Sequence, residues 1–147
     1  MATIRDLLNV KSSTVWSIAP DTPVLDALKV LADKDIGALL ILEKETLVGI
    51  ISERDFVRSI AETGQCLIHS TVQEYMTKEV FTVGLDQTIE ECMQLMTQKH
   101  IRHLPVIENS QVVGVVSIGD IVKGLIQTKE STIDTLENYI EGRGYGR

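Results

Sequence analysis

The chain is one unit written twice. Residues 15–60 lie over residues 80–125 at a constant offset of 65, without a gap, and 11 of the 46 aligned positions are identical. Val24, Ala27, Leu28 and Leu31 fall on Ile89, Cys92, Met93 and Met96. Ile36, Leu39, Val48, Gly49, Ser52 and Asp55 recur as Ile101, Leu104, Val113, Gly114, Ser117 and Asp120. Self-similarity at a fixed period marks a supersecondary unit that buries its apolar face against a neighbour. A unit of about 60 residues buries only about 60% of the surface its unfolded chain exposes, which is marginal for a unit alone. The two copies are therefore expected to face each other and to share one core.

Within each copy the order reads strand, helix, strand, strand, helix. Residues 15–18 form a short extended segment, and Asp21, Thr22 and Pro23 read as a helix start, with a capping side chain and a proline in the first turn. Val24, Ala27, Leu28, Leu31 and Ala32 then make one apolar stripe at helical spacing. Residues 37–42 and 47–51 are apolar strand runs separated by a polar turn at 43–46, which predicts a hairpin. A helix opens at Ser52, with Phe56, Val57 and Ile60 among its apolar residues. The second copy repeats this order through Ile121, Val122, Leu125 and Ile126. Residues 71–76 echo residues 3–8 as a short helix before each copy, and Ile133, Leu136 and Ile140 suggest a further helix near the end. The expected division is 9–66, 70–130 and a 131–147 tail.

Charge and cysteine usage narrow the function. A net charge of −7 on 147 residues argues against nucleic-acid binding, which needs a basic surface to displace counterions. Cys66 and Cys92 form no CxxC pair, and Cys92 falls on the apolar face of a helix, so a buried thiol in a reducing compartment is expected. Nowhere do about 18 apolar residues run together, and residues 1–10 do not read as an export signal. A cytoplasmic protein without a membrane partner is the expectation.

The motif that could carry chemistry is also doubled. Gly49 to Asp55 and Gly114 to Asp120 both read glycine, two apolar residues, serine, two variable residues, aspartate. Serine followed three residues later by an acid can simply cap the helix that opens there. The same strand-to-helix turn also presents amide N–H groups and a positive dipole end suited to phosphate. A carboxylate turned outward there could accept both hydroxyls of a ribose.

In these two motifs, in the strand entries Ile36-Gly37-Ala38-Leu39 and Ile101-Arg102-His103-Leu104-Pro105, and in the short helix before each copy, the chain resembles the cystathionine β-synthase (CBS) domain family in its paired form, the Bateman module. The resemblance covers nearly the whole chain. It implies an α+β fold of two β-α-β-β-α repeats packed about a pseudo-two-fold axis as an α/β sandwich, with two clefts for adenosine-containing ligands. Each cleft would join the aspartate of one repeat to the strand entry of the other. One would use Ser117, Gly119 and Asp120 with Ile36, Gly37 and Ala38, and with Lys11 and Trp16 near its base. The other would use Ser52, Arg54 and Asp55 with Phe81, Ile101, Arg102 and His103, and Arg102 and His103 match positions that often reach phosphates. The ligand implied is AMP, ATP or NAD(H), with no catalytic cofactor. A homodimer and a protein target, whose identity the sequence does not give, complete the set of implied partners.

The clefts are unequal in sequence. Arg54 stands opposite Gly119, Arg102 and His103 opposite Gly37 and Ala38, and Arg58 opposite Lys123, so cations gather around the motifs of an acidic chain. A surface ion pair of Glu53 or Asp55 with Arg58 is the alternative use of that arginine. His100 and His103 could share a metal ion but have no evident third ligand. No nucleophile and base can be named, and neither GxGxxG nor GxxxxGK[ST] occurs. The sequence thus points to a ligand-sensing module and not an enzyme. A constitutive interaction protein whose motifs only cap helices, and an enzyme acting on a bound dinucleotide, are the competing readings.

Overall fold

The computed structural model describes residues 2–10, 14–66 and 68–128. The helix expected at 133–140 and the tail lie outside them. Helix α1 (Ile4–Val10) precedes β1 (Ser17–Ile18), α2 (Val24–Lys34), β2 (Ala38–Glu43), β3 (Thr46–Ser52) and α3 (Glu53–Thr63). A 3₁₀ turn (Val72–Glu74) replaces the second of the short helices and leads to α4 (Ile89–Lys99), β4 (His103–Glu108), β5 (Gln111–Ser117) and α5 (Ile118–Thr128). The fold is α+β, as expected. No helix among the described residues is long and apolar enough to cross a membrane.

Each hairpin folds in the same register: Ala38 faces Ser52 and His103 faces Ser117, with an irregularity after Ile41 and after its mate Val106. Lys44 and Glu45 in one turn, and Asn109 and Ser110 in the other, all have positive φ between 51° and 69°. Two such residues in succession match the right-handed strand twist of a tight hairpin.

The copies differ at their first strand. β1 runs parallel to β2, and Leu40 donates its N–H to the Trp16 carbonyl at 3.3 Å. In the second repeat the mate of Leu40 is Pro105, which has no N–H to give. The strand expected at 80–83 accordingly shrinks to one parallel bridge, Val83 with Val106. The helix start at 21–23 is also corrected. Pro23 itself is the N-cap of α2, without a side-chain cap, whereas its mate Thr88 accepts the Glu91 N–H at 3.1 Å.

The expected single core is two cores, and the short segments are exchanged between them. Ile4 and Leu7 of α1 are buried with Ile89, Cys92, Met96, Leu104 and Ile121 of the second repeat. Val72 is buried with Val24, Leu31, Leu39, Ile51 and Phe56 of the first. Ile4 and Arg5 donate to the carbonyls of Gln87 and Leu85, both at 2.9 Å, while Val72 and Gln73 donate to Thr22 and Pro20 at 2.9 and 3.1 Å. Each repeat, too small to close its own core, is completed by the segment that precedes the other. Leu40 and Pro105 are also fully buried. By strand alternation they point away from these cores, on the side where β3 meets β5.

The crossing points require glycine. A Cβ on Gly114 would sit 2.9 Å from Leu8 Cδ1, and one on Gly49 would meet Met76 Sδ at 2.5 Å and the Thr77 backbone oxygen at 3.1 Å. Side-chain ends can yield, but a carbonyl hydrogen-bonded into a bridge cannot: the Thr77 oxygen accepts the Ile50 N–H at 3.0 Å. Gly49→Ala should therefore destabilise by about 1 to 3 kcal/mol, and Gly114→Ala by less. Urea denaturation of the two variants checks this, and an equal or reversed order would contradict it.

Candidate functional site

The strand-to-helix turn of each repeat is built the same way. Ser52 Oγ accepts the Asp55 N–H at 3.3 Å, while Asp55 Oδ2 accepts the Ser52 N–H at 2.8 Å. Ser117 and Asp120 repeat this at 3.2 and 2.8 Å. The carbonyls of the strand entries, Gly37 and Arg102, accept the N–H groups of Glu53 and Ile118 at 3.0 and 2.9 Å. The aspartates do not simply point outward, as the ribose expectation assumed; one oxygen of each closes a capping box on its own helix. Most donors of the turn are thereby claimed, which narrows the anion-binding capacity expected of a bare helix end. Thr3 and Asp6 form the same arrangement at the start of α1, where the Thr3 N–H reaches Asp6 Oδ2 at 3.0 Å. Hydrogen bonds from the Thr3 backbone and hydroxyl hold the Asp6 carboxyl below its ordinary range. That third copy lines neither cleft.

Two clefts lie between the repeats. The larger, about 680 Å³, is lined by Ser52, Arg54, Asp55 and Arg58 of the first repeat, and by Phe81, Ile101, Arg102 and His103 of the second. All eight residues expected of it are present. The smaller, about 280 Å³, brings together Trp16, Ile36, Gly37, Ala38, Ser117 and Asp120. Lys11, expected at its base, lies outside the described residues. Two assignments are corrected. Gly119 lines the larger cleft, not the smaller, and Ile36, Gly37 and Ala38 line both, as does His103. The reason is size: with no side chain at Gly37, the His103 ring comes within 3.3 Å of where a Cβ would be, so residues 36–38 form a thin shared wall.

Sequence reasoning missed Thr77, Glu79 and Val80 in the larger cleft, and Asp35, Lys99 and His100 at its edges. Moving residues 11–16 by the offset of 65 gives 76–81, which would have found the first three. It would also have found a matched pair of cation–ring contacts: Lys34 Nζ lies 4.4 Å from the centre of Trp16, and Lys99 Nζ 5.1 Å from that of Phe81.

The ion pair considered for Arg58 does not form. Among the described residues the one ion pair is Arg5 with Asp86, at 3.3 Å and largely exposed. No three His, Cys, Asp or Glu side chains among the described residues are grouped as metal ligands. Cys92 is fully buried in the second core and Cys66 exposed, both as free thiols. Burial, with Glu91 beside it, pushes the Cys92 thiol up to about 11.

The family model for the CBS domain matches residues 4–62 and 72–127. The chain belongs to the CBS-domain family. It is 37% identical to the mitochondrial CBS domain-containing protein CBSX3 of Arabidopsis thaliana, over 97% of this chain and 73% of that protein. It resembles the crystal structure of the CBS domain NE2398 with a TM-score of 0.80 and 44% identity, over 84% of this chain and 97% of the other. CBSX2 in complex with AMP superposes with a TM-score of 0.73 at 25% identity, over 88% and 99% of the two chains. The CBS pair of MJ0100, in complex with 5′-methylthioadenosine and S-adenosyl-L-methionine, gives 0.74 and 25%, over 84% and 99%. In this CBS pair the clefts keep the pairing of one repeat's aspartate with the other's strand entry, but their chemistry has diverged: three arginines line the larger, and no Lys or Arg among the described residues lines the smaller.

Proposed function

We propose that this CBS pair is a regulatory module that binds an adenosine-containing nucleotide, AMP, ATP or NAD(H), and passes occupancy to a protein partner through cleft closure or dimer packing. The observation that carries the reading is the larger cleft. There the Ser52 to Asp55 turn of one repeat faces Ile101, Arg102 and His103 of the other, with Arg54 and Arg58 beside them and free of ion pairs among the described residues. A ligand can shift the module only by its differential affinity for the two states, and one gripped by both repeats has that property. The AMP, 5′-methylthioadenosine and S-adenosyl-L-methionine complexes of related pairs share an adenosine group. Native mass spectrometry of gently purified protein, followed by calorimetric titration with AMP, ATP and NAD, tests the reading. Failure of all three to bind at millimolar concentration would overturn it.

Arg102→Ala should weaken AMP by about 1 to 2 kcal/mol, because a charge-assisted contact is lost, and adenosine much less. Equal losses for the two ligands would remove Arg102 from the phosphate role. A second reading is favoured by the cap that Thr3 and Asp6 form away from both clefts: the Ser and Asp pairs could serve only as helix caps in a constitutive interaction module. Such a protein would bind its partner equally with and without nucleotide.

A homodimer through the motif helices is part of the proposal, and two unpaired cysteines fit a reducing compartment such as the cytoplasm. Val57 is 65% and Ile60 42% exposed on α3, an apolar face with no covering segment among the described residues. In a two-fold interface a charge placed there meets its own copy. Val57→Asp should give a folded monomer in sedimentation, where the parent protein sediments as a dimer. A monomeric parent at tens of micromolar, with and without AMP, would rule the dimer out.

A further inference from the structure

We propose that the two clefts sort adenosine ligands by charge, the larger taking a nucleotide with two or more phosphates and the smaller an adenosine whose 5′ end is uncharged. This rests on the nucleotide-binding reading above and adds a separate ligand class for each cleft. In the larger cleft the guanidinium groups of Arg54, Arg58 and Arg102 have no ion-pair partner among the described residues, although Glu53 and Glu79 lie on the same lining. Three arginines left unpaired beside available carboxylates, on a chain of net charge −7, match a ligand that brings several negative charges of its own. Forked donors of this kind suit phosphate oxygens.

The smaller cleft has the opposite character. Its described ionisable lining is Asp35, Asp120 and His103, with no Lys or Arg. Lys34, beside it, is engaged over the Trp16 ring at 4.4 Å. A phosphate there would sit against two carboxylates without a guanidinium to offset them, a like-charge contact that disfavours it. Its volume of about 280 Å³, against about 680 Å³ for the larger, is at the lower end for small-molecule sites and leaves little room for a phosphate chain. Asp120, whose Oδ2 is held by the Ser117 N–H at 2.8 Å, presents a fixed acceptor toward the ribose, and Trp16 offers a flat apolar surface for a base.

The protein carries its own reporter, since Trp16 is its one tryptophan and lines only the smaller cleft. Titration with ATP should saturate at one per chain by calorimetry and change Trp16 fluorescence by less than a tenth of the change adenosine produces. Adenosine added to the ATP-saturated protein should still bind one per chain, with its affinity altered less than about threefold. Arg54→Ala combined with Arg58→Ala should raise the ratio of ATP to adenosine dissociation constants at least tenfold. ATP binding at two per chain, ATP quenching Trp16 as strongly as adenosine does, or ATP fully displacing adenosine would overturn the sorting while leaving nucleotide binding intact. Absence of heat and of fluorescence change with both ligands would instead remove the nucleotide reading on which the sorting rests.

Discussion

Ile4→Asp is expected to open the second repeat while residues 14–63 lose less of their protection. Ile4 is fully buried, and it lies in the core of the repeat that its own sequence does not adjoin. Ile4→Ala alone should cost about 2 to 5 kcal/mol, the transfer of the lost methyl groups plus the cavity left behind. An aspartate adds an unpaired buried charge, which carries the loss beyond about 4 kcal/mol. That is a large part of the roughly 5 to 15 kcal/mol that holds a domain of this size together. Cys92 gives the readout. It shares the core with Ile4, and its thiol, pushed up to about 11 by burial, stays protonated and covered at pH 8. Exposed Cys66 serves as the reactive reference in the same chain. Alkylation of Cys92 should accelerate by orders of magnitude in Ile4→Asp and measurably in Ile4→Ala, with Cys66 unchanged. If Ile4→Ala left both the denaturation midpoint and Cys92 labelling at parent values, α1 would not be part of that core.

The exchange that makes this result expected could not be read from the repeat itself. The echo between residues 3–8 and 71–76 is visible in the sequence, but at a spacing of 68 where the rest of the repeat holds 65. Similarity says that two segments are equivalent, not which repeat each covers. Helical stripes such as Val24, Ala27 and Leu31, and the strands after them, were legible because burial imposes their period directly. So was the crosswise pairing of Asp55 with the 101–103 entry, through the family resemblance. What escaped depended on single atoms. The missing N–H of Pro105 removes a strand that its apolar pattern predicts. Pro23 takes the cap position that Asp21 was expected to fill. The missing side chain of Gly37 lets His103 into the wall between the clefts, which blurs the clean division of residues 36–38 and Gly119.

Replacing Asp55 and Asp120 together by alanine should both loosen the fold and abolish tight nucleotide binding, and the two effects can be separated. Each carboxylate accepts a Ser N–H at 2.8 Å at the start of its helix. Losing one such cap costs about 0.5 to 2 kcal/mol, so the pair should cost about 1 to 4 kcal/mol of stability. If the same carboxylates also receive ribose hydroxyls, affinity at each cleft should fall by a further 1 to 3 kcal/mol or so. Asparagine keeps an acceptor oxygen in the capping position while giving up the charge, so the Asn pair should regain most of the stability but not the full affinity. Asp6→Ala supplies the control, because it removes the matching cap from α1 without touching either cleft. It should soften α1 and leave nucleotide affinity unchanged. The Asp6 carboxyl lies below its ordinary range when folded, so its contribution is present at neutral pH and is lost as the pH falls through that lowered value. Unchanged calorimetric affinity in the double alanine variant, with its far-ultraviolet dichroism intact, would show that these aspartates cap helices and nothing more. The nucleotide reading would fall with that result, because the ribose acceptors are what tie the clefts of this chain to an adenosine ligand.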